Sequence, residues 1–117
     1  MKIKIVKKKT GYLVGFGGLT QKQIKIIAKL NLPNGTYQLD FMKDYLGIWT
    51  DNQGNTDIEK SRWFADFATA YKWGKTRKQK AIWDCKNQQE IWLIEQKSKK
   101  LKKHLKNNQF EYWIYEK

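Results

Sequence analysis

The start of one helix is the most strongly specified local feature of the sequence. In the segment LTQKQIKIIAKLN, Thr20 and Gln23 have the spacing of a capping box, in which each side chain accepts a hydrogen bond from the backbone N–H of the other residue. Leu19 and Ile24 have the spacing of a hydrophobic staple across the same turn. These pairs predict a helix over residues 20–31, ended by the turn sequence LPNG.

Short segments with strand character lie on both sides of this helix. KIKIV alternates lysine and isoleucine, and YLVGF, which follows the turn KKTG, predicts its hairpin partner. Beyond the helix, TYQLDFM and YLGIWT predict two more strands joined across the turn KD. The N-terminal half is therefore expected to follow the order ββαββ.

A second helix is predicted over residues 57–73, in the segment TDIEKSRWFADFATAYKW. Thr56 or Asp57 is its expected N-cap, and Gly74 its expected C-terminal residue. Apolar side chains recur at helical spacing and define one buried face of this segment. They are Trp63, Phe64, Phe67, Ala70 and Tyr71.

Residues 77–106 allow two interpretations. They are rich in good helix formers, which favours one long helix. In the alternative, AIWDC and EIWLIEQ form two strands around KNQQ, and a helix then runs through the lysines of residues 97–106. We favour the strands, because a helix over residues 81–94 would scatter its apolar side chains all round.

Together these elements predict an α+β fold in a single domain over residues 1–117. A small mixed or antiparallel sheet would pack with two or three helices, and FEYWIY would close the chain as a C-terminal aromatic strand. Whether that strand pairs across a homodimer is left open. The chain offers no apolar run long enough for a signal peptide or a membrane span, so a cytoplasmic protein without membrane contact is expected.

The positive charge is concentrated in three short segments. The chain has 24 Lys+Arg against 11 Asp+Glu, a formal net charge of +13. Sixteen of these cations lie in residues 2–9, 71–80 and 97–106, which contain no acid, whereas the rest of the chain has eight cations and 11 acids. Because unscreened charges of one sign repel, such segments predict contact with a polyanion or an acidic partner.

The residue types favour contact with phosphate over recognition of base sequence. Lysine is a mobile point charge, whereas base reading usually recruits arginine, and the chain has only Arg62 and Arg77. Trp73, between Lys72 and Lys75, is a candidate for stacking on an unpaired base of DNA or RNA. The candidate nucleic-acid-binding residues are Lys7, Lys8, Lys9, Lys72, Trp73, Lys75, Arg77, Lys78, Lys80, Lys97, Lys99, Lys100, Lys102, Lys103 and Lys106.

The catalytic patterns in the sequence are no more frequent than its amino-acid composition would produce by chance. The strand-like IWLIEQK, with an aspartate upstream, resembles the core of restriction-endonuclease-like nucleases, in which Asp and Glu hold Mg²⁺ and Lys helps to activate water. The resemblance covers residues 84–97 and would give these roles to Asp84, Glu95 and Lys97. The chain contains two acid-x-Lys triplets, EQK and DCK, and about two are expected by chance. No catalytic residue, metal site or cofactor is predicted.

Other residues of chemical interest have ordinary explanations. His104 stands in a lysine run and is expected to be solvated, and the one cysteine, Cys85, is expected to be a small buried side chain without a disulfide partner. The alternative to nucleic-acid binding is an inhibitor or accessory protein of a phage or plasmid. Its basic face would bind an acidic host protein or a ribonucleoprotein.

Overall fold

The computed structural model describes residues 2–40, 42–50 and 53–116. Within these ranges the chain forms nine strands and two helices. The strands are β1 (Ile3–Val6), β2 (Tyr12–Gly17), β3 (Gly35–Leu39), β4 (Tyr45–Thr50), β5 (Thr56–Phe64), β6 (Ala81–Asp84), β7 (Gln89–Trp92), β8 (Leu101–Lys106) and β9 (Phe110–Tyr115). The helices are α1 (Gln21–Ala28) and α2 (Phe67–Thr76).

The chain divides into two compact units. The N-terminal unit comprises Met1–Lys7 and Gly15–Arg62, and the C-terminal unit comprises Lys8–Val14 and Trp63–Lys117. Strands β2 and β5 contribute residues to both units. The expectation of a single domain over residues 1–117 stays a prediction.

In the N-terminal unit, β1, β3, β4 and β5 pair in that order, each antiparallel to the next. Helix α1 packs on this sheet through Ile27, which contacts a cluster of buried strand residues: Tyr37, Leu39, Leu46 and Ile48. The predicted capping box is confirmed, since Thr20 Oγ1 accepts from the Gln23 N–H at 3.1 Å and Gln23 Oε1 accepts from the Thr20 N–H at 2.9 Å. The predicted hairpin of KIKIV with YLVGF is wrong, because β1 pairs with β3.

In the C-terminal unit, the strand order is β2, β6, β7, β9, β8, and every pair is antiparallel. Helix α2 packs on one face of these strands. Gly74, inside the helix, lies so close to the sheet that a Cβ there would meet the Leu93 side chain at 3.0 Å and that of Ile82 at 3.5 Å. Gly74 therefore serves close helix–sheet packing, and the prediction that it ends the helix is wrong.

The predicted helix over residues 57–73 is wrong in its first half. Residues 56–64 form strand β5, and α2 begins only after Asp66, whose carboxylate accepts from the Thr69 N–H at 2.9 Å as the N-cap. Of the five apolar residues predicted to form one helix face, Phe67, Ala70 and Tyr71 are in α2, whereas Trp63 and Phe64 are in strand β5. Pairing of β5 with β4 over residues 56–61 outweighs the helical spacing of the aromatic side chains.

The predicted helix through residues 97–106 is also wrong. The two favoured strands around KNQQ are confirmed as β6 and β7, but residues 101–106 then form strand β8, antiparallel to the aromatic strand β9. The protein is consequently a β-rich, mostly antiparallel fold with two helices. The predicted α+β class, with two or three helices packed on a small sheet, is wrong.

Candidate nucleic-acid interface

Strand alternation divides the side chains of the C-terminal unit between two faces. Residues opposite each other in neighbouring strands share a face. One face packs on α2 and includes the paired Ile82 and Ile91. The other face, here called the tryptophan face, carries the cross-strand pairs Leu13–Trp83, Ala81–Trp92, Trp92–Trp113, Trp113–Lys103 and Tyr115–Leu101.

Each tryptophan of this face is the neighbour in sequence of an isoleucine on the other face. The neighbours are Ile82 with Trp83, Ile91 with Trp92 and Trp113 with Ile114. Because side chains alternate along a strand, placing each isoleucine on the α2 side directs the adjacent tryptophan to the opposite side. Sequence reasoning missed this face. The repeated Ile–Trp neighbours were its signal, but only the strand register shows that they align.

The tryptophan face is crossed by a lysine-rich segment. Strands β7 and β8 are both antiparallel to β9 and so run parallel to each other, which means that residues 93–100 must pass from one end of the strands to the other. The ammonium of Lys99 lies 3.9 Å from the ring centroid of Trp92. The crossing segment therefore brings at least this lysine over the tryptophan face.

The second lysine segment, residues 71–80, lies beside the start of the crossing segment. The backbone N–H of Leu93 donates to the Lys80 carbonyl at 2.8 Å, and Lys75 Nζ donates to the Leu93 carbonyl at 3.5 Å. The crossing segment thus begins directly beside the C-terminal end of α2 and the start of β6. The exposed cations at this end of the unit are Lys75, Arg77, Lys78 and Lys80, whereas Lys100 directly precedes β8 at the other end of the strands.

Trp73 is partly covered by its own neighbours. The Arg77 guanidinium carbon lies 3.7 Å from its ring centroid, and the ring of Phe64 lies 5.3 Å away at a tilt of 51°. A base could stack on the indole only by displacing one of these side chains. Lys72, also predicted to contact nucleic acid, is exposed on the same helix.

Lys8 and Lys9 of the first lysine segment are not brought into this group. Lys7 belongs to the N-terminal unit, whereas Lys8 and Lys9 precede β2 in the C-terminal unit. The Lys8 ammonium lies 4.9 Å from the ring centroid of Trp63. The Cys85 N–H donates to the Gly11 carbonyl, which places this loop at the end of β6 that is remote from Lys80.

Lysines of the third segment are divided between the two faces of β8. Lys103 lies on the tryptophan face and pairs with Glu111 at 3.3 Å. Lys102 and Lys106 lie on the α2 side, and the Lys106 ammonium is 4.8 Å from the ring centroid of Phe67. His104, between them, stacks on Tyr112 with ring centroids 5.2 Å apart. In place of the helix predicted through residues 97–106, the structure has strand β8, which carries lysine on both faces.

The nuclease-like residues are not brought together. Asp84 is opposite Gln89 at the turn end of the β6–β7 hairpin, whereas Glu95 and Lys97 follow Trp92 at the other end. The Asp84 carboxylate, buried, accepts from the backbone N–H groups of Lys86 and Asn87 and from the Asn87 side chain. Among the described residues, no group of three or more His, Cys, Asp or Glu side chains is placed to hold a metal ion.

Cys85 and one small cavity of the N-terminal unit offer little for chemistry. Cys85 is buried and free of disulfides, and burial raises the pKa of its thiol to about 11. A cavity of about 230 Å³ in the N-terminal unit is lined by residues near the end of α1 and by β4 and β5, among them Ile27, Leu32 and Ile58. Its volume is below the range of roughly 300–1,000 Å³ typical of small-molecule sites.

No protein family, curated protein or solved structure matches this chain. In the described ranges, neither helix has the length and apolar character needed to cross a membrane.

Proposed function

We propose that the C-terminal unit binds nucleic acid through the phosphate backbone, with little preference for base sequence. The observation that carries the proposal is the cluster of exposed cations where α2 ends and β6 begins, beside the start of the segment that brings Lys99 over the tryptophan face. Residues 75–80 supply this cationic surface, and the crossing segment adds lysines further along the strands. A surface of this kind fits a phosphate chain, whose charges are closely and evenly spaced.

The distribution of charge between the units supports the same conclusion. The C-terminal unit has 15 cations and six acids, whereas the N-terminal unit has nine cations and five acids. Solubility alone would be served equally well by an even distribution. Lysine on the edge strand β8 also discourages edge-to-edge aggregation, but that role does not account for the lysines of α2 and of the crossing segment.

The chemistry of the side chains favours nonspecific contact. Lysine reaches phosphate as a flexible point charge, and the one arginine of this surface, Arg77, is stacked on Trp73. An acidic protein or a ribonucleoprotein, as an inhibitor or accessory protein would bind, is the alternative occupant of the same surface.

The test compares two triple variants that remove the same charge. Lys75→Gln, Lys78→Gln and Lys80→Gln remove three exposed lysines from the proposed surface, and Lys22→Gln, Lys25→Gln and Lys29→Gln remove three exposed lysines from the N-terminal unit. Affinity for labelled single-stranded and duplex DNA and for RNA is measured by fluorescence anisotropy at several salt concentrations. Circular dichroism verifies that both variants are folded.

The first variant should lose affinity for every nucleic acid, and its slope of log K against log salt should become shallower by about 2–3. The second should retain both affinity and slope. Equal losses in the two variants would show that net charge alone is responsible and would overturn the assigned surface. Absence of wild-type binding at physiological salt would overturn nucleic-acid binding altogether and would favour a protein partner.

A further inference from the structure

Two aromatic residues and one cation are neighbours across adjacent strands of the tryptophan face. Trp92 in β7 is opposite Trp113 in β9, and Trp113 is opposite Lys103 in β8. Directly opposed side chains in antiparallel strands have Cβ atoms about 4.5–5.5 Å apart. Two tryptophans and a lysine therefore occupy one continuous row across three strands, and the Lys103 ammonium is paired with Glu111 at 3.3 Å.

Part of this aromatic surface is open to solvent. Tyr115 is 53% exposed, and its cross-strand partner Leu101 and the neighbouring Trp113 are half-buried. Burying these rings in a core would be the usual way to use aromatic side chains. Their exposure beside Lys99, Lys100 and Lys103 points instead to a ligand that has both flat apolar groups and negative charge.

Trp92, the buried member of the row, has an unsatisfied hydrogen-bond donor. Trp92 is 8% exposed, and its indole N–H has no hydrogen-bond partner among the described residues. A buried donor without an acceptor is uncommon and costs about 1–3 kcal/mol. The Lys99 ammonium covers the indole ring as a cation–π partner, and this contact can be exchanged for a stronger one with phosphate.

We propose that the tryptophan face binds single-stranded nucleic acid, with bases stacked on Trp113 and Tyr115 and phosphates neutralised by Lys99 and Lys103. Movement of Lys99 to a phosphate uncovers Trp92, whose N–H then donates to an oxygen of the bound strand. The inference rests on the proposed function, because it names the class of nucleic acid that the same unit takes.

Single strands are specified because only they offer free base faces. In a duplex the bases are stacked on each other, and a protein meets phosphates and base edges. Aromatic platforms beside lysines bind unpaired bases with little sequence preference, and each stacked base contributes about 1–3 kcal/mol. The duplex is expected to bind only through the lysines.

The test separates stacking from charge. Trp113→Leu and Tyr115→Leu are compared with Trp49→Leu, which removes an exposed tryptophan of the N-terminal unit. The probes are oligo(dT) and oligo(rU) of about 12 nucleotides, an abasic strand with the same number of phosphates, and a duplex of matched length. Tyr115, being largely exposed, can be replaced without loss of folding if Trp113 cannot.

Both face variants should bind oligo(dT) and oligo(rU) about 5- to 100-fold more weakly, with unchanged affinity for the abasic strand and the duplex. The Trp49→Leu control should behave as wild type. Oligo(dT) should also quench tryptophan fluorescence, and the quenching should be smaller in Trp113→Leu. The relative affinity for oligo(dT) and oligo(rU) distinguishes DNA from RNA as the ligand.

Two results overturn the inference and differ from failure of the proposed function. If wild type binds the abasic strand as tightly as oligo(dT), or if the face variants lose affinity equally for all probes, bases do not stack there although nucleic acid is bound. If wild type binds none of the four probes at physiological salt, the proposed function itself fails.

Discussion

The carboxylate of Glu59 lies against Gly15, in the space that a Cβ at residue 15 would occupy. Glu59 is also the register partner of Gly47 in β4. Gly15 and Gly47, which have no side chains, thus leave room for the half-buried Glu59 carboxylate on the sheet of the N-terminal unit. Burial raises the pKa of Glu59, the charge of Asp57 raises it further, and a hydrogen bond from the Gly17 backbone acts in the opposite direction.

This raised pKa makes stability depend on pH. Below the ordinary pKa of 4.5, Glu59 is protonated in both the folded and the unfolded chain, so its burial does not reduce the free energy of unfolding through a charge. As pH rises through the folded pKa, the folded state must accept a poorly solvated charge and loses stability. Glu59→Gln should therefore be more stable than wild type at neutral pH, with the advantage disappearing near pH 4. Urea unfolding at a series of pH values measures the difference; an advantage that does not change with pH would contradict the assignment.

The close approach of Glu59 and Gly15 predicts a coupled pair of substitutions. Gly15→Ala should destabilise the protein by about 1 kcal/mol, because the new methyl group displaces the carboxylate at the far end of the flexible Glu59 side chain. In the background of Glu59→Ala the same substitution should cost much less. A double-mutant cycle in urea measures the coupling, and additive effects would show that the two side chains do not compete for space.

The Cys85 thiol should be almost unreactive in the folded protein. With its pKa raised to about 11 by burial, only about 0.1% of the thiol is ionised at pH 8, and the thiolate is the reactive form. Modification by a thiol-reactive disulfide reagent is expected to be at least about 100-fold slower in the folded than in the urea-unfolded chain. Rapid modification of the folded protein would mean that the end of β6 opens readily.

Helix α1 shows how far local sequence can predict structure. Its start could be predicted because Thr20 and Gln23 satisfy each other within one turn, independently of the rest of the fold. We expect Thr20→Ala to destabilise the protein by about 1 kcal/mol, because the Gln23 N–H loses its acceptor and the reciprocal pair of hydrogen bonds at the helix start is broken. Thermal unfolding measures the loss. Gln23→Ala in the Thr20→Ala background should add little, and a full additional loss would contradict reciprocal capping.

Strand β8 shows where local sequence fails. LKKHLK consists largely of good helix formers, and only pairing with the aromatic strand β9 makes it a strand. Similarly, the partner of β1 depends on where the chain returns after α1, which no short pattern records. The lysines of the candidate surface could be selected from composition. Their division between two faces, and the alignment of Trp92 with Trp113, required the strand register.

The β6–β7 turn gives the last prediction. Asp84 Oδ1 accepts from the backbone N–H groups of Lys86 and Asn87 at 3.1 and 3.2 Å, and Oδ2 accepts from the Asn87 side chain at 2.8 Å. Such a side-chain-to-backbone arrangement sets the direction of a turn. Asp84→Ala should destabilise the protein by about 2–4 kcal/mol in urea unfolding, because three donors lose a buried acceptor. Asp40→Ala removes the same charge from an exposed position and should change stability little. If the two substitutions have equal effects, Asp84 contributes only its charge, and the turn is held by other contacts.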